Sequence, residues 1–192
     1  GDVGCVPGGG RARCVAAHAT LRAEVGPGLS CLRDCQNVMV CGELAAGHRH
    51  WDQFVKDAAR ELEPAPTSKD DSALWLWTSG SSGRPKAAVH LHHDWVYCCE
   101  YYARGVLDIR AEDVTFSSSK LFHAYGLGNG LMFPFHVGAT TVLLPGKPQA
   151  STVLETVQAI RPTLFFSVPT LYASMLQAAE KTAEREDNNA PA

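Results

Sequence analysis

The sequence predicts an α/β fold, a mainly parallel β-sheet flanked by helices. Short apolar runs at 38–41, 139–144 and 163–168 have the length of buried strands. Segments with apolar residues three and four apart lie between and after them, at 51–62, 95–107, 151–160 and from Pro169 onward. Strand and helix alternate along the chain, the pattern of a sheet whose parallel strands are joined by helical crossovers.

The 192 residues are enough for one domain with a sizeable core. A hydrophobic content of 45% against 19% charged residues excludes a disordered chain. The net charge of −3 gives no electrostatic case for nucleic acid, and no apolar run is long enough to span a bilayer. Residues 1–10 lack a charged region followed by an apolar stretch, so no secretory signal is read there. The cysteine count, seven, is odd and shows no compact framework, which points to reduced thiols and a cytoplasmic location. Cys31 and Cys35 are spaced more widely than Cys-x-x-Cys and have no second ligand pair, so no metal site is expected.

Taken in order, residues 1–13 are Gly-rich and unpatterned, and 1–20 are left unassigned. Spacing predicts a helix over 15–25, stopped by Gly26-Pro27-Gly28. A buried strand follows at 38–41, then an amphipathic helix over 51–62 with Trp51, Phe54, Val55 and Leu62 on its core face. Residues 63–71, rich in Pro and Asp, form a connector.

The most informative stretch comes next. Thr78-Ser79-Gly80-Ser81-Ser82-Gly83-Arg84-Pro85-Lys86 is gripped by apolar runs at 73–77 and 87–89, so it is read as a loop between two strands. Gly80 and Gly83 let the main chain approach a ligand closely. Successive N–H groups in such a turn form an anion-binding concavity. The hydroxyls of Thr78, Ser79, Ser81 and Ser82 add donors, Lys86 adds a mobile charge, and Arg84 offers a planar fork. Together these suit a polyphosphate. A Walker loop is excluded, because Pro85 precedes Lys86 and a strand rather than a helix follows.

Beyond the loop, His90, His92 and His93 are read as a strand end, with Asp94 capping the helix over 95–107, rather than as a metal shell. Tyr97, Tyr101 and Tyr102 are read as packing residues. A second informative stretch runs from Leu121 to Gly130. Gly126, Gly128 and Gly130 alternate, so a bulky ligand or another backbone can come close, while His123 and Tyr125 place polar groups among apolar neighbours. A helix end, a turn and a strand are read over 133–144. A helix over 151–160 ends at Arg161-Pro162, and Pro169 opens the last helix. Residues 181–192 are expected to form a loose tail.

The loop resembles the phosphate-binding signature of the adenylate-forming superfamily, Ser/Thr-Ser-Gly-Ser/Thr-Thr/Ser-Gly-x-Pro-Lys-Gly, with Ala87 in place of the final Gly. The runs 89–94, 115–118 and 124–129 are similar to the benzoate and hydroxybenzoate CoA-ligase branch, with His123 where that branch often has Phe. The resemblance covers roughly residues 30–180 and implies a partial N-terminal AMP-binding domain, assigned to 21–180. It implies ATP with Mg2+, coenzyme A and an aryl carboxylate as co-substrates. Thr78, Ser79, Gly80, Ser81, Ser82, Gly83 and Lys86 would contact the ATP phosphates, and His123, Ala124, Tyr125 and Gly126 would line the acid pocket. The family's later motifs, which supply the metal-associated carboxylate, the ribose-binding Asp and the aligning Lys, lie C-terminal to the matched region. The sequence is therefore read as a fragment with no complete catalytic set, inactive alone. A non-catalytic nucleotide-binding module and a decayed remnant stand as alternatives.

Overall fold

The structure is a computed structural model that describes residues 12–21, 35, 37–43, 48–78 and 85–188. The chain divides into two compact units, one of residues 1–68 and 77–88, the other of 69–76 and 89–192.

In the first unit, three parallel strands lie in sequence order: β1 (Cys14–His18), β2 (Asn37–Cys41) and β3 (Arg49–His50). The helix expected over 15–25 is absent where the chain is described. Residues 14–18 form β1 and Ala19–Leu21 a single 3₁₀ turn. A short apolar segment satisfies either period, and here the parallel ladder to β2, Val15 opposite Val38, decides in favour of the strand. The expected strand at 38–41 is present as β2, with Met39 and Val40 buried.

The helix expected over 51–62 is shorter: α1 spans Trp51–Lys56. His50 caps it by accepting the Asp52 N–H at Nδ1 (3.2 Å). At the other end, Asp57 receives two hydrogen bonds from the Gln53 amide, at 2.7 and 2.8 Å. A carboxylate opposes the dipole at a helix C-terminus, and the chain leaves the helix there. The expected core face is not buried. Val55 is 50% and Leu62 89% exposed.

β4 (Ser72–Thr78) and β5 (Lys86–Leu91) pair as a two-stranded sheet, so the phosphate-type loop lies between strands as expected.

In the second unit the sheet order is β7-β6-β8, all parallel: β6 (Val114–Ser117), β7 (Thr140–Val142) and β8 (Leu164–Phe166). Phe116 of β6 is fully buried opposite Phe165 of β8, ring centroids 5.3 Å apart. The helix α2 (His92–Tyr97) starts earlier than expected and continues as a π-wound segment, Cys98–Arg104. Cys99 and Ala103 from that segment join Ile109, Phe133 and Ala139 in the core. Of the three tyrosines, Tyr102 packs edge-on against Phe133, whereas Tyr101 is 74% exposed.

Between β6 and β7 the chain is helical in three parts: α3 (Ala124–Leu127), a π-wound turn (Gly128–Met132) and α4 (Phe133–Val137). Gly138, at φ +81°, stops α4, a conformation that costs glycine little. The helix α5 (Ala150–Ile160) crosses to β8 and ends at Arg161, before Pro162. Pro169 opens α6 (Pro169–Asn188), which packs on α5. α6 runs through 181–188, so most of the expected loose tail is helical. Its Ala, Glu, Lys and Arg residues are strong helix formers. Among the described residues no helix is long and apolar enough to cross a membrane.

Candidate functional site

Two groups of residues carry the candidate chemistry. The first is the loop. Thr78 ends β4 and Lys86 begins β5, both exposed, so each presents its side chain to solvent at the mouth of the strand pair. Ser79, Gly80, Ser81, Ser82 and Gly83 lie outside the described residues, as does Arg84.

The second group sits where β6 and β8 end, the edge of a parallel sheet at which open α/β folds bind ligands. His123 is extended (φ −98°, ψ 142°) and forms the N-cap of α3; its carbonyl accepts the Leu127 N–H at 2.8 Å. Its imidazole meets the exposed Phe122 ring at a tilt of 49°, centroids 4.4 Å apart. Ala124 is exposed beside it and Gly126 is buried. Tyr125 is partly exposed and donates its hydroxyl to the Ser167 carbonyl (3.4 Å). Burial pushes the Tyr125 phenol up from its ordinary value of 10.0, with Tyr172 and Tyr102 adding to the effect.

The glycine series is taken up by the protein itself. A Cβ on Gly126 would lie 2.1 Å from the Lys120 carbonyl oxygen, and one on Gly128 would lie 2.9 Å from the Phe133 ring. Of the two expectations for these glycines, close approach of another backbone holds at Gly126, and at Gly128 the neighbour is a core ring. Lys120, whose carbonyl Gly126 touches, donates its ammonium to the Leu144 carbonyl.

Sequence reasoning missed the polar residues beneath this rim. Ser118 and Ser167 are buried, and their hydroxyls meet at 2.9 Å. Asn129 is 4% exposed and donates Nδ2 to the Tyr125 carbonyl (2.9 Å). The signal for the first pair was present in three consecutive serines, 117–119, that close β6 and follow it.

Two histidines of the cluster lie against carboxylates. The N-cap position expected for Asp94 falls to Leu91; Asp94 sits at the third helical position of α2, where its carboxylate accepts the Leu91 N–H (3.0 Å). It also lies 3.3 Å from His90 Nδ1 and 3.2 Å from His93 Nε2, and Asp70 lies 3.2 Å from His93 Nδ1. The Leu91 hydrogen bond, then the two histidines, hold the Asp94 carboxyl below its ordinary value against an opposing effect of burial. Among the described residues no group of three or more His, Cys, Asp or Glu is placed to hold a metal ion. Cys14, Cys35, Cys41, Cys98 and Cys99 are free thiols.

A surface cleft of about 860 Å3 lies at the opposite edge of the sheet, before β6 and β7, lined by Glu100, Arg104, Asp108, Arg110, Glu112 and His136 among others. Its charges pair with one another: Glu100 with Arg104 (3.1 Å) and His136 (2.7 Å), and Asp108 with Arg110 (2.6 Å).

The sequence matches the AMP-binding enzyme family over residues 15–191. It is 42% identical over 175 residues to a benzoate–CoA ligase of Thauera aromatica, covering 91% of this chain and 33% of that protein. It is 36% identical over 166 residues to a 4-hydroxybenzoate–CoA/benzoate–CoA ligase of Rhodopseudomonas palustris, covering 86% and 31%. Among solved structures, a benzoate CoA ligase from Burkholderia xenovorans LB400 superposes with a TM-score of 0.81 at 38% identity, over 91% of this chain and 34% of that one. The anthranilate CoA ligase AuaEII in complex with anthranoyl-AMP superposes with a TM-score of 0.85 at 31% identity, over 89% and 33%. The chain thus spans about a third of the length of these relatives. With the α/β architecture and a loop flanked by two strands, the match over most of its length assigns it: the chain belongs to the AMP-binding enzyme family.

Proposed function

We propose that this chain supplies the ATP phosphate-binding loop and the acid pocket of an aryl-acid–CoA ligase acting in the cytoplasm. One observation carries the proposal. The loop 78–86, with its glycines, hydroxyls and Lys86, joins two strands in a chain 42% identical to a benzoate–CoA ligase.

In the reaction, a carboxylate oxygen of the aryl acid attacks the α-phosphorus of MgATP. The bond to the bridging oxygen breaks, and pyrophosphate leaves with that electron pair. The coenzyme A thiol gives up its proton to solvent as its sulfur attacks the acyl carbon, the carbon–oxygen bond to the phosphate breaks with its electron pair on AMP, and a thioester remains. The loop's part is electrostatic. Backbone N–H groups around Gly80 and Gly83, hydroxyls from Thr78, Ser79, Ser81 and Ser82, and the Lys86 ammonium would align the triphosphate and offset its charge. Thr78 and Lys86 stand at the two strand ends that frame the loop. The acid's part falls to the rim at the start of α3. The tilted Phe122–His123 ring pair and the Tyr125 ring offer aromatic surface, and Gly126 lets α3 lie close to the chain beneath it.

The test uses a ligase in which residues 15–191 replace the matched third of the Thauera aromatica enzyme. Lys86→Ala should lower benzoate-dependent pyrophosphate release about a hundredfold, the scale of one lost transition-state donor. Unchanged release would remove Lys86 from the mechanism.

A further inference from the structure

We infer that Asn129 is a positioning residue for the acid pocket, holding Tyr125 in place through the wider turn that follows it. The inference rests on the pocket assignment above.

Asn129 lies in the π-wound turn Gly128–Met132, where the Phe133 N–H bonds back five residues to the Gly128 carbonyl. Such a turn interrupts the even ladder of an α-helix, and its neighbours need other partners. The Tyr125 carbonyl shares the Gly128 N–H with the Ala124 carbonyl and, at 2.9 Å, accepts the Asn129 side-chain amide. The side chain of Asn129 therefore reaches back one turn and fastens the backbone of the residue whose ring forms the pocket rim. The other end of Tyr125 is tied as well, its hydroxyl donating to the Ser167 carbonyl at 3.4 Å. Tyr125 is thus pinned at main chain and hydroxyl, with its ring partly exposed between the two.

Asn129 is 4% exposed, so it does not meet solvent or substrate directly. Its Oδ1 is buried and takes no hydrogen bond from a described residue. A leucine of similar size would fill the same space without a polar atom. The choice of an amide is explained by the donor it presents to Tyr125. Gly128 and Gly126 on either side are packed against Phe133 and the Lys120 carbonyl, so the turn has little room to shift by itself. Removing the amide frees the Tyr125 end of the turn rather than the whole helix.

The test uses the 192-residue chain labelled at the tyrosine ring carbons, with Tyr125→Phe identifying the Tyr125 signal among the five tyrosines. Asn129→Leu should shift the Tyr125 signal and weaken benzoate binding about five- to tenfold, the scale of one hydrogen bond. ATP binding should stay unchanged. Asn129→Gln, which keeps an amide donor, should recover most of the benzoate affinity; a merely structural role would not follow the donor in this way. In the unsubstituted chain, the Asn129 side-chain amide protons should exchange slowly with solvent, a measurement that needs no variant to fold. Fast exchange, or a Tyr125 signal and benzoate affinity both unmoved in a folded Leu variant, would overturn the inference. Should the unsubstituted chain bind no benzoate, the pocket assignment fails, and the Tyr125 shift with the amide exchange still decides the positioning role.

Discussion

The hydroxyls of Ser118 and Ser167 meet at 2.9 Å inside the protein, one just past the end of β6 and the other just past β8. Both residues are buried, at 3% and 8% exposure, and the Ser118 N–H donates to the Phe166 carbonyl alongside (3.0 Å). The pair closes the sheet edge beneath Tyr125, whose hydroxyl rests on the Ser167 carbonyl. Ser118→Ala leaves one buried hydroxyl unpaired and should cost about 1–2 kcal/mol of stability. Replacing both serines by alanine should cost less than the sum of the single changes. Urea denaturation of the two single variants and the double variant checks this.

Two glycines differ in what they tolerate. At Gly126 a Cβ would sit 2.1 Å from a main-chain oxygen that cannot step aside. Gly126→Ala should therefore destabilise by about 3 kcal/mol or more, beyond ordinary overpacking. At Gly138 there is open space but φ is +81°, so Gly138→Ala should cost only the left-handed strain, about 1–2 kcal/mol. Thermal melting ranks the two, and the reverse order would mean the contact at Gly126 is wrong.

Asp94 gives a pH dependence of known sign. Its folded-state carboxyl is held below the ordinary 3.8, first by the Leu91 N–H and then by His90 and His93. The stabilisation is complete above that ordinary value and disappears as pH falls through the lower folded one. Asp94→Asn should lower the melting temperature above pH 3.8, and the gap from the unsubstituted chain should narrow as the pH drops below it. A gap that widens as the pH falls below 3.8 would contradict the hydrogen bond from the Leu91 N–H to Asp94.

The sequence made the strand–loop–strand order of residues 72–91 legible and left the packing obscure. The loop was readable because Gly, Ser, Thr and Lys between two apolar runs is a composition with few other uses, and β4 and β5 flank it. The helix start at Pro169 was readable because proline fixes φ at a value the first turn of a helix accepts. β1 was misread because five residues carry too little periodicity to separate strand from helix, and a partner more than twenty residues on decided the matter. α1 was read too long because a six-residue helix ended by Asp57 leaves Leu62 outside it, although the apolar spacing continues. The π-wound turns, and with them the role of Asn129, follow from tertiary packing around Phe133 and Cys99 and leave no local signature.

Acid selectivity tests the central claim most directly. In the ligase carrying residues 15–191 in place of the matched third of the Thauera aromatica enzyme, acyl-adenylate would be trapped as hydroxamate with benzoate and with a long-chain fatty acid, each at equal concentration. An aromatic rim at His123 and Tyr125, with Gly126 closed against the Lys120 carbonyl, should favour the flat ring, giving at least about tenfold more benzohydroxamate. Equal trapping, or preference for the fatty acid, would contradict it.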